Sequence, residues 1–262
     1  MDWLRQYMYY KMKQGYFIHY YNYKSMTIKT LVAVIGVVIL LFPSKTYAQG
    51  KFTVNGKADF VSDYIWRGAD QNSGFSIQPS LTLGYAGFSI NVWGSQTLSR
   101  WNVESPAKEF DINLSYSLNN FSITVSDYWW SGVNQPYGHY KDAHFFEGTL
   151  VYCLGKFFPL ILSWSTMFAG ADKNEEGKLQ GSTYINASYP ISLPADITLT
   201  PAMGFTPWKG YYHNKAAFTD ISLKANKDVK VTDKFSVPVF IQVIVAPVYD
   251  RTYLLAGFSL GF

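Results

Sequence analysis

The stretch "EFDINLSYSLNNFSITVS", residues 109–126, decides the fold class. Its first half places Phe, Ile and Leu at every second position with Asp, Asn and Ser between them, and its second half repeats the alternation with Phe, Ile and Val against Ser and Thr. Successive side chains of a β-strand point to opposite faces, so a period of two predicts half-buried strands. The Asn-Asn pair between the halves favours a tight turn. The stretch therefore predicts two antiparallel strands joined by a hairpin.

The same period of two continues through residues 52–262, and no convincing helical pattern interrupts it. At about 18 residues for each strand and its connection, the spacing suits membrane-barrel strands of about 9–11 residues. We predict an all-β fold, a transmembrane antiparallel up-and-down β-barrel of about 12 strands, with 10 or 14 as alternatives. The predicted strands are 52–67, 76–85, 88–98, 109–118, 121–130, 143–154, 160–169, 181–190, 196–207, 217–228, 235–247 and 252–262.

The connections between these strands alternate in length. Connections after the odd-numbered strands are mostly longer and more polar than those after the even-numbered strands, although the last one, at 249–251, is short. Short turns at one rim and long loops at the other are typical of bacterial outer-membrane barrels. The short connections are 86–87, 119–120, 155–159, 191–195 and 229–234, and the long ones are 68–75, 99–108, 131–142, 170–180 and 208–215.

The final stretch, "TYLLAGFSLGF" at residues 252–262, ends in an aromatic residue. Every second residue back from it is apolar, which predicts one face toward lipid. We predict that Phe258, Leu260 and Phe262 form the signal that the outer-membrane assembly machinery recognises.

The N-terminal region has the features of an export signal. Lys24 and Lys29 precede a 12-residue apolar run at 31–42, and Thr46 and Ala48 provide small residues at cleavage spacing. The run is too short for a membrane-spanning helix, which needs about 20 residues, and suits a secretory signal. We predict cleavage after Ala48. Residues 1–48 are then a signal peptide with an over-extended start before 26, and residues 49–262 form a single barrel domain exported to the bacterial outer membrane.

Charge and cysteine content exclude some partners. Six of the 22 basic residues and one of the 18 acidic residues lie before Gln49, so 16 basic and 17 acidic residues follow. This near-neutral balance predicts no nucleic-acid partner. Cys153 is the only cysteine, which excludes an intrachain disulfide. The predicted partners are outer-membrane lipids and lipopolysaccharide, the assembly machinery and small solutes.

Odd and even positions along a barrel strand point to opposite faces. One face lines the lumen and is polar, and the other contacts lipid and is apolar. In "DFVSDYIWRGADQ", residues 59–71, two acids and an arginine share one face and aromatic residues share the other. We predict that Tyr64 and Trp66 belong to an aromatic girdle at the membrane interface. The predicted lumen-lining residues are Asp59, Asp63, Arg67, Asn91, Asp111, Asn113, Glu147, Asp220, Ser222, Lys224 and Gln242.

The same region carries a family resemblance. Ser62, Asp63, Tyr64, Arg67 and Gly68, followed by "VWGS" at 92–95 and the acids Glu109 and Asp111, resemble the opening motifs of the TorF-type porin family. The resemblance covers about the first third of the chain after Ala48. It implies an outer-membrane barrel with a pore role and does not identify a solute.

Motifs for catalysis or cofactor binding are absent from the sequence, which has no nucleophile elbow, no phosphate-binding loop and no CxxC. We predict no enzymatic activity, no cofactor and no metal site. Two polar loops, "GHYKDAH" at 138–144 and "DKNEE" at 172–176, are interpreted as solvated. Three functions stay open: a channel for small solutes, a closed barrel with a scaffold or adhesion role, and a lipid-acting barrel enzyme. For the enzyme, His144 is the only histidine predicted to lie on the lipid-facing side of a strand at the height of the rim.

Overall fold

The computed structural model describes residues 51–71, 74–98, 108–130, 136–233 and 235–262, and the predicted signal peptide lies outside them. These residues form fifteen strands and one 3-10 helix. None of the helices in the described ranges is long and apolar enough to cross a membrane. The elements are β1 Thr53–Val61, β2 Ile65–Trp66, β3 Ala69–Asp70, β4 Ser76–Tyr85, β5 Phe88–Thr97, β6 Lys108–Leu118, β7 Phe121–Trp130, β8 His144–Cys153, β9 Ile161–Gly170, β10 Thr183–Ser188, β11 Ile191–Leu193, β12 Ile197–Thr206, β13 Ala217–Thr232, β14 Phe235–Ala246, the 3-10 helix Pro247–Tyr249 and β15 Arg251–Gly261.

The large sheet closes on itself. Each strand pairs antiparallel with its neighbours in the chain, β1 pairs with both β4 and β15, and β10 pairs with both β9 and β12. β2 and β3 form a separate hairpin outside this ring. Because β10 and β11 are two parts of one strand, the ring has twelve strands. The predicted all-β antiparallel barrel of 12 strands is confirmed.

A proline marks the interruption between β10 and β11. The pairing with β12 keeps one register across it, from Ser188 opposite Ala202 to Ile191 opposite Leu199. Proline has no N–H group to donate, and Pro190 occupies the gap. The eighth predicted strand therefore continues to Leu193 rather than ending at 190.

The connections alternate in length as predicted. The rim that holds the turns after β4, β6, β8, β11 and β13 has short connections, and the opposite rim has the long loops. Ala86 and Gly87 connect β4 to β5 with φ angles of 50° and 87°, and positive φ at both central residues is what a type I′ hairpin turn requires. The short connection before β15, formed by the 3-10 helix, is again the exception.

The two faces of the barrel have opposite character. Leu254 and Phe258 point outward and are 67% and 37% exposed, whereas Glu147 and Asp111 point inward and are 0% and 6% exposed. Among the described residues, 16 buried side chains are polar or charged and eight are hydrophobic. This is the reverse of the core of a water-soluble protein, which is mostly apolar. The polar groups that could carry a function therefore line the inside of the barrel, which we call the lumen.

Candidate functional site

The segment after β1 turns into the barrel instead of prolonging the strand. The Asp63 carboxylate accepts the backbone N–H of Tyr64 at 2.8 Å and that of Gly74 at 3.0 Å. Such local bonds offer the backbone an alternative to the ladder of a sheet. β1 therefore ends at Val61, and the prediction of one strand over 52–67 is wrong.

The hairpin formed by β2 and β3 carries Arg67 at its tip. Arg67 and Gly68 have φ angles of 52° and 85°, which gives the two-residue type I′ turn. A Cβ atom at Gly68 would lie 2.4 Å from the carbonyl oxygen of Thr219 on β13. The tip thus packs against the barrel wall at a distance that only glycine permits.

Arg67 binds a buried carboxylate across the lumen. Its Nη1 and Nη2 atoms donate to Oε2 and Oε1 of Glu147 on β8, at 2.6 and 2.7 Å. Tyr128 on β7 donates to the same carboxylate at 2.9 Å, and Tyr212, in the loop between β12 and β13, donates to it at 3.2 Å. Arg67 also donates to the Tyr212 hydroxyl. Bidentate arginine–carboxylate pairs are among the stronger hydrogen-bonded contacts in proteins.

Aromatic rings enclose the guanidinium group of Arg67. Its Cζ atom lies 4.6 Å from the ring centre of Trp66, 4.5 Å from that of Tyr184 and 5.3 Å from that of Tyr212. These distances allow cation–π attraction. Burial lowers the pKa of Arg67, but Tyr212 and Glu147 outweigh it and hold the pKa above the usual value. We call Arg67, Glu147, Tyr128, Tyr184 and Tyr212, together with the Trp66 ring, the Arg67 site.

The prediction that Tyr64 and Trp66 belong to an outer aromatic girdle is wrong. Trp66 packs inside the barrel, 5.3 Å from Trp130 and 5.9 Å from Tyr128 between ring centres. Tyr64 meets Trp93 edge-on at 5.6 Å, and the pKa of Tyr64 is raised by burial and by the nearby acids of β6. Tyr64 lies in the loop after β1, and Trp66 lies in the β2–β3 hairpin. Both rings point into the lumen because this segment leaves the barrel wall, so the alternation of β1 no longer determines the direction of its side chains.

Four carboxylates are buried in this half of the lumen. Glu109 and Asp111 on β6 are each 6% exposed, Glu147 is 0% exposed and Asp220 on β13 is 7% exposed. Of the basic side chains in the described ranges, only Arg67 forms an ion pair with any of them. Among the described residues, the long-loop half of the lumen therefore buries more acidic than basic side chains.

Three buried polar atoms in this region have no hydrogen-bond partner among the described residues. They are Oε2 of Glu109, Oδ1 of Asp111 and the indole nitrogen of Trp130. Asp220, in contrast, accepts hydrogen bonds from Tyr184 at 3.1 Å and from Thr219 at 2.8 Å. Buried polar atoms are normally paired with protein or water. Glu109 stands opposite Trp130 in the strand register, so these atoms lie close together on β6 and β7.

The short-turn half of the lumen contains a second polar group. Lys57 pairs with Asp59 at 2.7 Å, and Ser259 on β15 donates to Asp59 at 2.5 Å. The Lys224 amine lies 4.2 Å from the ring centre of Phe240. Gln242 stands opposite Lys224 in the strand register.

The structure brings the predicted lumen residues together in small sets. Arg67 pairs with Glu147, and Tyr184, whose ring faces Arg67, donates to Asp220. Asn113 donates to Asn91 at 3.1 Å, while Ser222 lies opposite Ile244 in the strand register. Asp63 stays in its loop as a backbone cap and does not share a strand with Arg67.

Sequence reasoning missed the tyrosines of the Arg67 site. Tyr128 lies two residues after Ser126 and shares the polar face of β7, so the alternation alone indicates that it points into the lumen. Tyr184 on β10 shares a face with Asn186 in the same way. Tyr212 lies in a loop, and nothing in its sequence context indicates that it points to Glu147.

The outer surface near the long-loop rim has one further polar cluster. His144 contacts Oδ1 of Asp127 through Nδ1 at 2.6 Å and the carbonyl oxygen of Tyr137 through Nε2 at 2.5 Å, and Tyr140 stacks on its ring at 4.1 Å. Both ring nitrogens are engaged, so neither is available to act as a base. Within the described ranges, no group of three or more His, Cys, Asp or Glu side chains could hold a metal ion.

Comparison with known proteins gives a family and several similar barrels. Residues 45–243 match the family described as "Bacterial protein of unknown function (Gcw_chp)". No curated protein matches the chain. The KdgM porin is similar in structure at a TM-score of 0.43 and 10% identity, over 80% of this chain and 97% of that one.

Another similar structure is the COG4313 outer membrane channel from Pseudomonas putida F1. It has a TM-score of 0.41 and 14% identity, over 84% of this chain and 99% of that one. The barrel itself is established by the strand pairing of this chain.

Proposed function

The chain belongs to the Gcw_chp family of bacterial proteins, and we propose that it is an outer-membrane channel for small solutes whose long-loop end is closed by the β2–β3 hairpin. The observation that carries this proposal is the polar lumen. A twelve-strand barrel is wider than the eight-strand barrels that side chains fill, and this one lines its interior with carboxylates, hydroxyls and amides. Such a lining favours passage of hydrated solutes over a purely structural core.

The outer face of the barrel supports the proposed location in the outer membrane. Large apolar side chains cover it, with Leu81, Leu114 and Leu150 between 44% and 47% exposed. Exposed apolar surface of this extent marks a membrane or protein interface. The partners we propose are outer-membrane lipids and lipopolysaccharide, together with the assembly machinery. The motif from Ser62 to Gly68 supports a pore role through its resemblance to the TorF-type porin family.

A second candidate function has its own support. The bidentate pair of Arg67 and Glu147 fixes the hairpin inside the lumen, and both side chains are largely buried. A barrel that never opened would act as a scaffold or an adhesion protein through its long loops. The lipid-acting enzyme has no such support, since the ring nitrogens of His144 are both engaged.

Conductance in a planar bilayer separates the two candidates. We expect the purified protein to give low or intermittent ionic currents. A variant that replaces 62–75 with a short turn should conduct continuously, because the hairpin no longer occupies the lumen. A matched variant that shortens the exposed loop at 173–179 should behave as wild type. A hairpin-less barrel that folds and carries no current would exclude the channel and leave the closed barrel.

A further inference from the structure

We infer that Glu147, Tyr128, Tyr184 and Tyr212 form a recognition site for organic cations on the barrel wall, and that Arg67 occupies it when no solute is present. This inference rests on the proposed channel function and gives it a substrate class: compounds with a guanidinium head. The evidence is the way in which the barrel wall already binds such a head. Its contacts come from strands and a loop that do not belong to the hairpin.

The wall offers a complete set of contacts to a guanidinium ion. Glu147 accepts hydrogen bonds from both Nη1 and Nη2 of Arg67. The ring centres of Tyr184 and Tyr212 lie 4.5 and 5.3 Å from the Cζ atom of Arg67. A flat cation that accepts no hydrogen bond matches a carboxylate flanked by aromatic faces. A free guanidinium compound would make the same contacts once the hairpin tip had left.

The surroundings favour a cation over an anion or a neutral solute. Glu109, Asp111 and Asp220 are buried near the site without forming an ion pair to a basic group of the described chain. In their ionised form, acidic side chains that line a narrow lumen attract cations and repel anions. Oδ1 of Asp111 is also without a hydrogen-bond donor among the described residues, and an N–H group of an organic cation would supply one.

Two side chains of a short hairpin make the closing contacts, since the Trp66 ring packs against Trp130 and Tyr128 beside the Arg67 pair. Arg67 binds through its guanidinium group, and the turn itself adds the close approach of Gly68 to Thr219. A cation at sufficient concentration competes with Arg67 for Glu147. Displacement of the hairpin then opens the lumen to the solute that displaced it.

The first test measures binding to an emptied site. Thermal unfolding of folded Arg67→Ala protein is followed with ethylguanidinium, which reproduces the end of the missing side chain, and with ethylurea, its uncharged analogue, each at millimolar concentration. We expect saturable stabilisation by ethylguanidinium alone. Adding Glu147→Gln should weaken this binding by about tenfold or more, because the charge-assisted hydrogen bonds are lost.

The control replaces an exposed arginine outside the site, Arg251→Ala. It should show much weaker stabilisation by ethylguanidinium than Arg67→Ala, because Arg67 still competes for Glu147. Equal responses of the two alanine variants, or a response that survives Glu147→Gln, would overturn the inference. A similar response to ethylurea would also overturn it, since charge would then play no part.

The second test uses the wild-type protein and requires no variant to fold. In a planar bilayer, ethylguanidinium should raise the open fraction and reversal potentials should show cation preference, while ethylurea leaves both unchanged. A barrel that conducts without cation preference and ignores ethylguanidinium would contradict the inference but keep the channel. A barrel that never conducts, yet binds ethylguanidinium in its Arg67→Ala form, would support the binding site and contradict the proposed channel function.

Discussion

At the residue scale, the barrel holds an oppositely charged pair in its interior. Arg67 is 12% exposed and Glu147 is 0% exposed, so neither group keeps its full hydration. Two direct hydrogen bonds and three aromatic rings replace the lost water. A buried pair of this kind adds little net stability, but removing one partner leaves the other charge without compensation.

This asymmetry predicts the result of a double-mutant cycle. Arg67→Ala should lower the free energy of unfolding by about 3–5 kcal/mol because Glu147 is left buried and unpaired. Adding Glu147→Gln should restore part of that loss, so the two changes are not additive. Urea unfolding in lipid vesicles measures all three variants, with Arg251→Ala as a surface control. Additive losses would mean that the two side chains act independently.

Gly68 allows a second prediction at this scale. Gly68→Ala should destabilise the folded protein by at least about 1–3 kcal/mol, the typical cost of a strained backbone conformation, because φ is +85° and the new Cβ would meet the Thr219 carbonyl oxygen.

Gly138→Ala is the matched control, since a Cβ at Gly138 would meet nothing within 4 Å. Thermal unfolding compares the two variants. Equal stability of both would show that the hairpin tip can leave the wall without cost.

At the scale of elements, β1 and β15 form the seam of the barrel. Lys57 stands opposite Gly261, and the register runs on to Val61 opposite Gly257. Beyond the last assigned pair, Phe262 donates its N–H to Gly56 at 2.9 Å and its ring covers Gly56 on the outer face. The final residue thus contributes both a hydrogen bond and a packing contact to the seam.

We expect Phe262→Ser to impair assembly far more than a change at another exposed aromatic residue. Phe157→Ser is the control, because Phe157 is fully exposed in the turn between β8 and β9. The folded fraction in outer-membrane extracts, read from gel mobility without heating, measures the effect. Equal yields for the two variants would show that Phe262 is incidental to assembly.

The elements also show what the sequence could predict. Alternation located the twelve strands because each β-strand residue has one side toward lipid and one toward the lumen, as Ile112 and Asp111 do on β6. It failed after Val61, where the Asp63 carboxylate captures backbone N–H groups and ends the strand. The Arg67 site was out of reach for another reason. The approach of Tyr212 to Glu147 joins residues 65 positions apart, and strand parity says nothing about a loop.

At the scale of the whole molecule, polar groups lie inside and apolar groups outside, as a protein surrounded by hydrocarbon requires. The buried carboxylates and the exposed leucines are two sides of the same strands. A water-soluble barrel would bury the leucines.

We predict that the protein is exported and embedded in the outer membrane. N-terminal sequencing of the mature form should begin at Gln49, and the unheated protein should migrate faster on gels than the heated one, because the folded barrel is compact. Fractionation should recover it with the outer membrane. A mature N-terminus at Met1 or Met26 would contradict the predicted export signal.

The pairing of β1 with β15 also determines when the barrel can close during folding. The hydrogen bond from Ser259 to Asp59 joins residues 200 positions apart, so the ring cannot close until β1 and β15 meet. Until then the sheet has two free edges, and such edges pair readily with other chains. Contacts so distant in sequence also form slowly. We therefore expect the vulnerable species in the cell to be the unclosed sheet, with a lifetime that determines how much of the protein is lost to aggregation.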